Sequence, residues 1–489
     1  MKKKICFLLT VWIMLPLNMD AQKELNWWYF GYKAGLNFNE TQTVNSSNGL
    51  STVLPIAKAG PVYTFEGGFS LSDNKGNLLM SSDGKTVYNK KNEVMTNGTG
   101  LLGHDSATQS GIVIPAPKNP NKFYVVTVDA DYGRNGLRYS VININVSNPN
   151  DLGSVEIATK NTVLNGSSYE NIVALAHNNG TDYWIVNRTS EFFYVWLLTA
   201  SGFTKVPQTY KVPPLSYDIP YWLGEIFASV DNTKLISFNF GGKEIISSYF
   251  DSSTGVISEI QVLEIAGAPY GGSFAANGNY LYYTTLDKEN SYLSESHNIK
   301  WDDLRLGNTA STLLYKGISN LRLASDKRIY GIRVHTKNLY VIMNPDEGGT
   351  DVRLFENYLT NTAGLGLPTF GSSFFSVKGK GMPFSCAGYE TKLALTVSIR
   401  EVDTPTRLVW DFGDGSEVKE QEFKVGITNY NMDHRFENSG LHKVTVTPYK
   451  GTSAFTASSF ETNIIDCSIK TNRMIRHELL NRSELEIKK

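Results

Sequence analysis

Six oxygen-bearing side chains stand out because each comes just ahead of a short run of small and apolar residues: Glu66, Gln109, Glu170, Glu225, Asn320 and Thr369. All six can accept hydrogen bonds, and three carry a carboxylate. Gathered in one place, they could hold a cation, a sugar or a basic peptide. Glu66, Glu170 and Glu225 are also the acid and base candidates the chain offers for chemistry on a glycan. The plainer role for the same residues is to cap strands and hydrate a channel. Which role applies depends on whether they converge, and therefore on the elements that carry them.

Those elements are hairpins. Leu321 to Ile332, LRLASDKRIYGI, reads as a strand, a polar turn and a second strand that opens on branched and aromatic residues. The pattern recurs from Phe69, Ile112, Val173, Phe227 and Ser273, and the residues following the six turns are spaced by 45, 60, 52, 45 and 49. A period near 50 built from strands and turns alone predicts a β-propeller, one four-stranded sheet per repeat. The six acceptors would then precede the innermost strands and face one mouth of the central channel. Asn26 to Phe38 reads as two strands without partners, and Leu367 to Phe375 as an inner strand without a hairpin. Joined, they predict a seventh blade closed by strands from both chain ends; a six-bladed ring with decorated ends is the competing count.

The 489 residues, 12% aromatic and rich in glycine, suit an all-β chain of one large and one small domain. Residues 1–21 read as a secretory signal: Lys2, Lys3 and Lys4, an apolar run from Ile5 to Leu17, and a cleavage site after Ala21. No later stretch is apolar for long enough to span a membrane as a helix, so no transmembrane anchor is expected. The formal net charge of −1 falls to about −3 without the leader, which argues against a nucleic-acid partner. Cys386 and Cys467 remain in the mature chain, and an even pair in an exported protein reads as a disulfide, the alternative being two buried thiols. The seven histidines include no close pair on a helix, and there is no G-x-S-x-G turn or phosphate-cradling loop, so neither a metal nor a cofactor is expected.

The Gly and Pro segment KGKGMP after Val377 marks the expected boundary, giving a propeller over 22–378, a sandwich over 382–467 and a polar tail over 468–489. The second region shows about seven short strands, as an immunoglobulin-like sandwich requires. Within it WDFGDGS, from Trp410 to Ser416, followed by His434, Phe436 and Gly440, resembles the polycystic kidney disease (PKD) domain. Gly413 and Gly415 permit a tight turn, Asp414 can bond amides across it, and Trp410 fills the core. Asp411 and Asp414 together supply too few oxygens for a calcium shell.

WYFGYKAGLNF near the N-terminus, DGKTVYN from Asp83, the stretch from Asn97 to Asp129 and the late GLPTF resemble a family of exported propeller proteins. These occur in bacteria with a type IX secretion system, are associated with the cell surface and gliding motility, and commonly carry PKD domains. The resemblance implies a location in the periplasm, at the outer membrane or at the cell surface. It also implies a binding role. The function expected is a non-catalytic envelope scaffold whose partner is an envelope or extracellular protein or a glycan. The alternative is a propeller hydrolase or lyase acting on envelope glycans.

Overall fold

A computed structural model describes residues 23–466, apart from positions 74, 180, 217–221, 288–292, 372–374, 381–384, 400–404, 425–426, 428 and 456. The signal segment 1–21, Cys467 and the tail 468–489 lie outside the described residues. The six hairpins read from the sequence are all present and open six successive blades, beginning with Gly68–Ser72, Gly111–Ala116, Val173–Ala176, Ile226–Ala228, Ala268–Phe274 and Asn320–Leu323, the first two joined into one sheet where Ser154 pairs with Thr96. We number these blades 1 to 6. Blades 4, 5 and 6 are four-stranded antiparallel meanders, and the first strand of each blade packs beside the first strand of the next. Extra short strands widen blades 2 and 3 at the outer edge.

Blade 7 comes from the N-terminus: Trp27–Phe30, Tyr32–Asn45 and Ser51–Tyr63 form one antiparallel sheet. Two of these strands were legible; the third was not, because Pro55 and Pro61 interrupt its alternation. The expected C-terminal inner strand is shortened to Pro368–Thr369, and its recorded bonds run parallel to Gly68–Phe69 of blade 1. The ring closes by packing as much as by strand pairing. Trp28 is fully buried against Phe38 of its own sheet, Tyr330 of blade 6 and Phe370. Further out, Arg328 donates to the Val53 carbonyl at 2.9 Å and Arg353 to Thr52 Oγ1 at 2.7 Å, tying blade 6 to blade 7.

A strand spans the expected domain boundary. Phe375–Lys380, which contains Val377 and the start of KGKGMP, pairs along its whole length with Glu390–Ile399. A strand takes the partner that satisfies its backbone groups, and here that partner is in the second domain. This domain is an immunoglobulin-like sandwich. One sheet holds Phe375–Lys380, Glu390–Ile399 and Asn429–Arg435; the other holds Ser385–Cys386, Ser458–Ile465, Gly440–Lys450, Arg407–Asp411 and Lys419–Glu422. Trp410 is fully buried at its centre among Leu393, Leu408, Val444 and Val446.

The WDFGDGS turn behaves as its residue types require. Gly413 and Gly415 both take left-handed backbone conformations, and a Cβ on Gly413 would meet the Lys443 carbonyl at 2.4 Å. Asp411 Oδ1 accepts the Gly413 amide at 2.9 Å, and Asp414 Oδ1 accepts the Ser416 amide at 3.0 Å. Asp414 Oδ2 meets His434 Nε2 at 2.7 Å, and the His434 ring stacks flat on Phe412. Partial burial alone would raise the Asp414 carboxyl, but the bonds from His434 and Ser416 hold it down at about 2. Gly440, also at positive φ, opens the strand that carries Val444 and Val446.

Because Trp28 sits where the last blade meets its neighbour, Trp28→Ala should destabilise the ring by about 3 to 5 kcal/mol, the usual cost of emptying a large core site. Calorimetry should show the propeller transition moving to lower temperature. An unchanged transition would mean that the N-terminal sheet does not contribute to closure.

Candidate functional site

The propeller places the six predicted acceptors around the start of the inner strands, and all six are buried, none more than 4% exposed. They divide into three groups with different surroundings.

Gln109 is a connector between blades. Its Oε1 accepts the amides of Ile172 at 3.0 Å and Ile226 at 2.9 Å, and its Nε2 donates to the Ile226 carbonyl at 3.2 Å. One side chain of blade 2 thus fixes the first strands of blades 3 and 4. Thr369 occupies the short inner strand of blade 7, where its buried hydroxyl has no partner among the described residues.

Glu225 and Asn320 belong to a second group. Glu225 Oε1 accepts from Arg322 at 2.7 Å and from Asn320 Nδ2 at 3.0 Å, while Oε2 accepts the Gly272 amide at 3.2 Å. Three donors and an opposite charge satisfy this carboxylate, and it clamps blade 4 to blades 5 and 6. Removing either member would strand the other charge in a buried site. That makes Glu225 a structural ion-pair partner, in surroundings unlike those of the other two glutamates.

Glu66 and Glu170 form the third group, and here carboxyls converge. Glu170 Oε2 accepts the amide and the hydroxyl of Thr108 at 2.8 and 3.0 Å, and Oε1 accepts the Asp131 amide at 2.8 Å. Glu66 has hydroxyl donors instead: Ser106 at 3.2 Å to Oε2, and Tyr270 at 2.9 Å to Oε1. Burial drives both pKa values up. Glu66 lies well above the ordinary carboxylate range, with the Glu170 and Asp131 carboxyls adding to the shift. Glu170, whose amide and hydroxyl bonds oppose the burial, is raised to about 7. The same end of the ring therefore holds two buried carboxyls whose pKa values are both raised and whose hydrogen-bond donors differ.

Tyr270 was not anticipated. It comes from blade 5 and reaches blade 1 on the other side of the channel, where burial and then the neighbouring Glu66 and Glu225 carboxyls hold its phenol neutral. The signal was present in Pro269-Tyr270-Gly271-Gly272: paired glycines inside a strand mark a bulge, and the pairing of this strand slips between Pro269 and Gly272. A Cβ on Gly271 would collide with Asn320, so the bulge is sterically reserved for glycine. Around Tyr270, Phe240, Ala268, Leu286, Val334 and Leu365 make an apolar wall, with Phe65 and Leu223 packed at its margin. Ser106, which bonds Glu66, is half-buried, and Asp131, whose amide bonds Glu170, is exposed.

No family model matches the sequence, and no curated protein matches it. Among solved structures, a Bacteroides uniformis protein described as a 6-phosphogluconolactonase covers 71% of this chain and 99% of its own, at 11% identity and a TM-score of 0.44. A periplasmic gluconolactonase from Pseudomonas aeruginosa covers 77% and 92%, at 13% identity and a TM-score of 0.35. Kuenenia stuttgartiensis hydrazine synthase covers 70% and 98%, at 12% identity and a TM-score of 0.32. Such scores transfer neither residues nor activity. The expectation of a non-catalytic scaffold is corrected on the geometry of the site: the carboxyls expected to hydrate the channel are buried, and the Glu170 carboxyl lies near enough to Glu66 to raise its pKa.

The pair also has a thermodynamic signature. A carboxyl whose pKa is raised on folding binds a proton that the unfolded chain has already released, so stability falls as pH rises from about 4.5 through about 7. Glu66→Gln keeps the acceptor for Tyr270 and cannot ionise, so its melting temperature should fall less than that of the wild type between pH 5 and pH 8. Parallel curves for the two proteins would mean that Glu66 ionises freely.

Proposed function

We propose that this protein is a propeller-type hydrolase acting on glycans of the cell envelope. The observation that carries the reading is the buried, interacting pair Glu66 and Glu170, both with raised pKa values and with unlike donors: two hydroxyls on Glu66, two amides and a hydroxyl on Glu170. In hydrolysis Glu66 gives its proton to the leaving oxygen while Glu170 takes one from the attacking water, so that the bond to the leaving group breaks as the bond to water forms. The Tyr270 phenol holds Glu66 in place, and the apolar wall lowers the local dielectric, which strengthens both proton transfers.

Activity on a panel of envelope-type glycans should rise with pH to a plateau above about 7, as Glu170 loses its proton. Glu66→Gln and Glu170→Gln should each lower kcat by about 100-fold or more, the range of general acid–base catalysis. Full activity in both variants would remove the pair from the mechanism.

Export is part of the same proposal. The segment 1–21 has the make-up of a secretory leader, and no helix among the described residues is long and apolar enough to cross a membrane. The second domain is read as PKD-like on its WDFGDGS turn, and the whole as akin to the propeller proteins of type IX-secreting bacteria. A Cys386–Cys467 bridge fits this compartment: Cys386 is buried and pairs in register with Ile465, two residues before Cys467. Peptide mapping of protein from an oxidising compartment should recover the two joined, and alkylation of both as free thiols would overturn the bridge.

A further inference from the structure

An acid and a base locate the bond that is cut, whereas the extent of the substrate is set by what flanks them. Connections that lead into inner strands and turns that join second to third strands all emerge at one end of a propeller, because successive strands reverse direction. Aromatic side chains gather on these connections in two patches, one beside each carboxyl.

The first patch adjoins Glu66. Phe65, the preceding residue, stacks on His335 with ring centroids 5.8 Å apart; His335 lies flat on Tyr32 at 5.6 Å and 7°; and Tyr32 leans on Tyr63 at 5.2 Å. The row ends in the open, since Tyr63 is 57% exposed. The second patch adjoins Glu170. Tyr169, the preceding residue, carries the edge of Tyr132 at 5.6 Å and 76°, and the buried Arg188 guanidinium lies 5.4 Å from its ring centre. Tyr132 is 45% exposed. It is held there by a rigid turn: Asp131 and Tyr132 both adopt left-handed backbone angles, the Asp131 amide is bonded to Glu170, and Asp129 accepts the Asn135 amide at 3.0 Å. Two adjacent non-glycine residues in that region cost energy, and the hydrogen bonds hold them in it.

Large exposed rings on rigid supports are what a sugar needs, because a pyranose offers one face of C–H groups and a rim of hydroxyls, and an aromatic ring matches the former. We infer that these patches are two sugar-binding subsites on either side of the carboxyl pair, so that the substrate is an oligosaccharide of at least two rings cut between them. The inference rests on the hydrolase reading for where the cut falls, but not for binding. The Tyr63 patch takes the ring on the Glu66 side and the Tyr132 patch the ring on the Glu170 side.

The test uses the full mature chain in the Glu66→Gln background, whose turnover is slowed by about 100-fold or more so that binding is read ahead of cleavage. Xylo-, cello- and chito-oligosaccharides of one to six units are titrated calorimetrically into this protein and into versions that add Tyr63→Ala or Tyr132→Ala, both at exposed positions where melting curves verify folding. Affinity should rise from one unit to two or three in at least one series, and each alanine should weaken the longer ligands by roughly tenfold, the loss of one stacking contact. Monosaccharides bound as tightly as longer chains, alanine variants with unchanged affinities, or no binding across the panel would each overturn the subsites. The two readings separate cleanly. Length-dependent binding with no turnover by the wild type keeps the subsites and removes the hydrolase, whereas turnover of a single-ring derivative with KM unchanged in Tyr132→Ala does the reverse.

Discussion

A propeller blade has two apolar faces and no partner of its own, so every blade is stable only because another covers it on each side. That constraint makes closure the condition on which the rest of this structure depends. The first and last parts of the ring are far apart in the chain, yet they must meet without leaving an open edge. The N-terminal sheet meets the requirement by inserting Trp28 against Tyr330 and Phe370, and by giving carbonyls and hydroxyls to Arg328 and Arg353 of blade 6. A large indole at this junction buries more apolar surface than the two-residue strand Pro368–Thr369 provides in backbone bonds.

Closure also creates the site. Glu66 and Tyr270 are separated by 204 residues and touch because blade 5 and blade 1 face each other across the channel. The ring then distributes its buried carboxylates by the donors each one meets. Glu225 receives an arginine and becomes a clamp. Glu170 receives amides and a hydroxyl and can still ionise. Glu66 receives two hydroxyls, too little to offset its burial, and its pKa lies well above the ordinary carboxylate range. Three glutamates at equivalent positions thereby acquire three different chemistries.

The sandwich has a core of its own around Trp410, and its most specific motif serves the turn that covers that core. The Asp414 to His434 bond and the stacking of His434 on Phe412 lock WDFGDGS against the neighbouring sheet.

The sequence by itself determined the hairpins, their period, the all-β class and the residues that begin the inner strands, because turn chemistry and strand alternation are local properties. It also determined the glycine turn of the sandwich, since Gly413 answers to a backbone conformation and a close approach. What only the tertiary structure decided is which of six similar acceptors would meet which donors. Arg322 and Tyr270 lie on other blades, and no local pattern says that one reaches Glu225 and the other Glu66. The pairing of Phe375–Lys380 was hidden for the same reason. A short strand declares its residues, but its partner is chosen by whichever edge remains unpaired after the ring has closed.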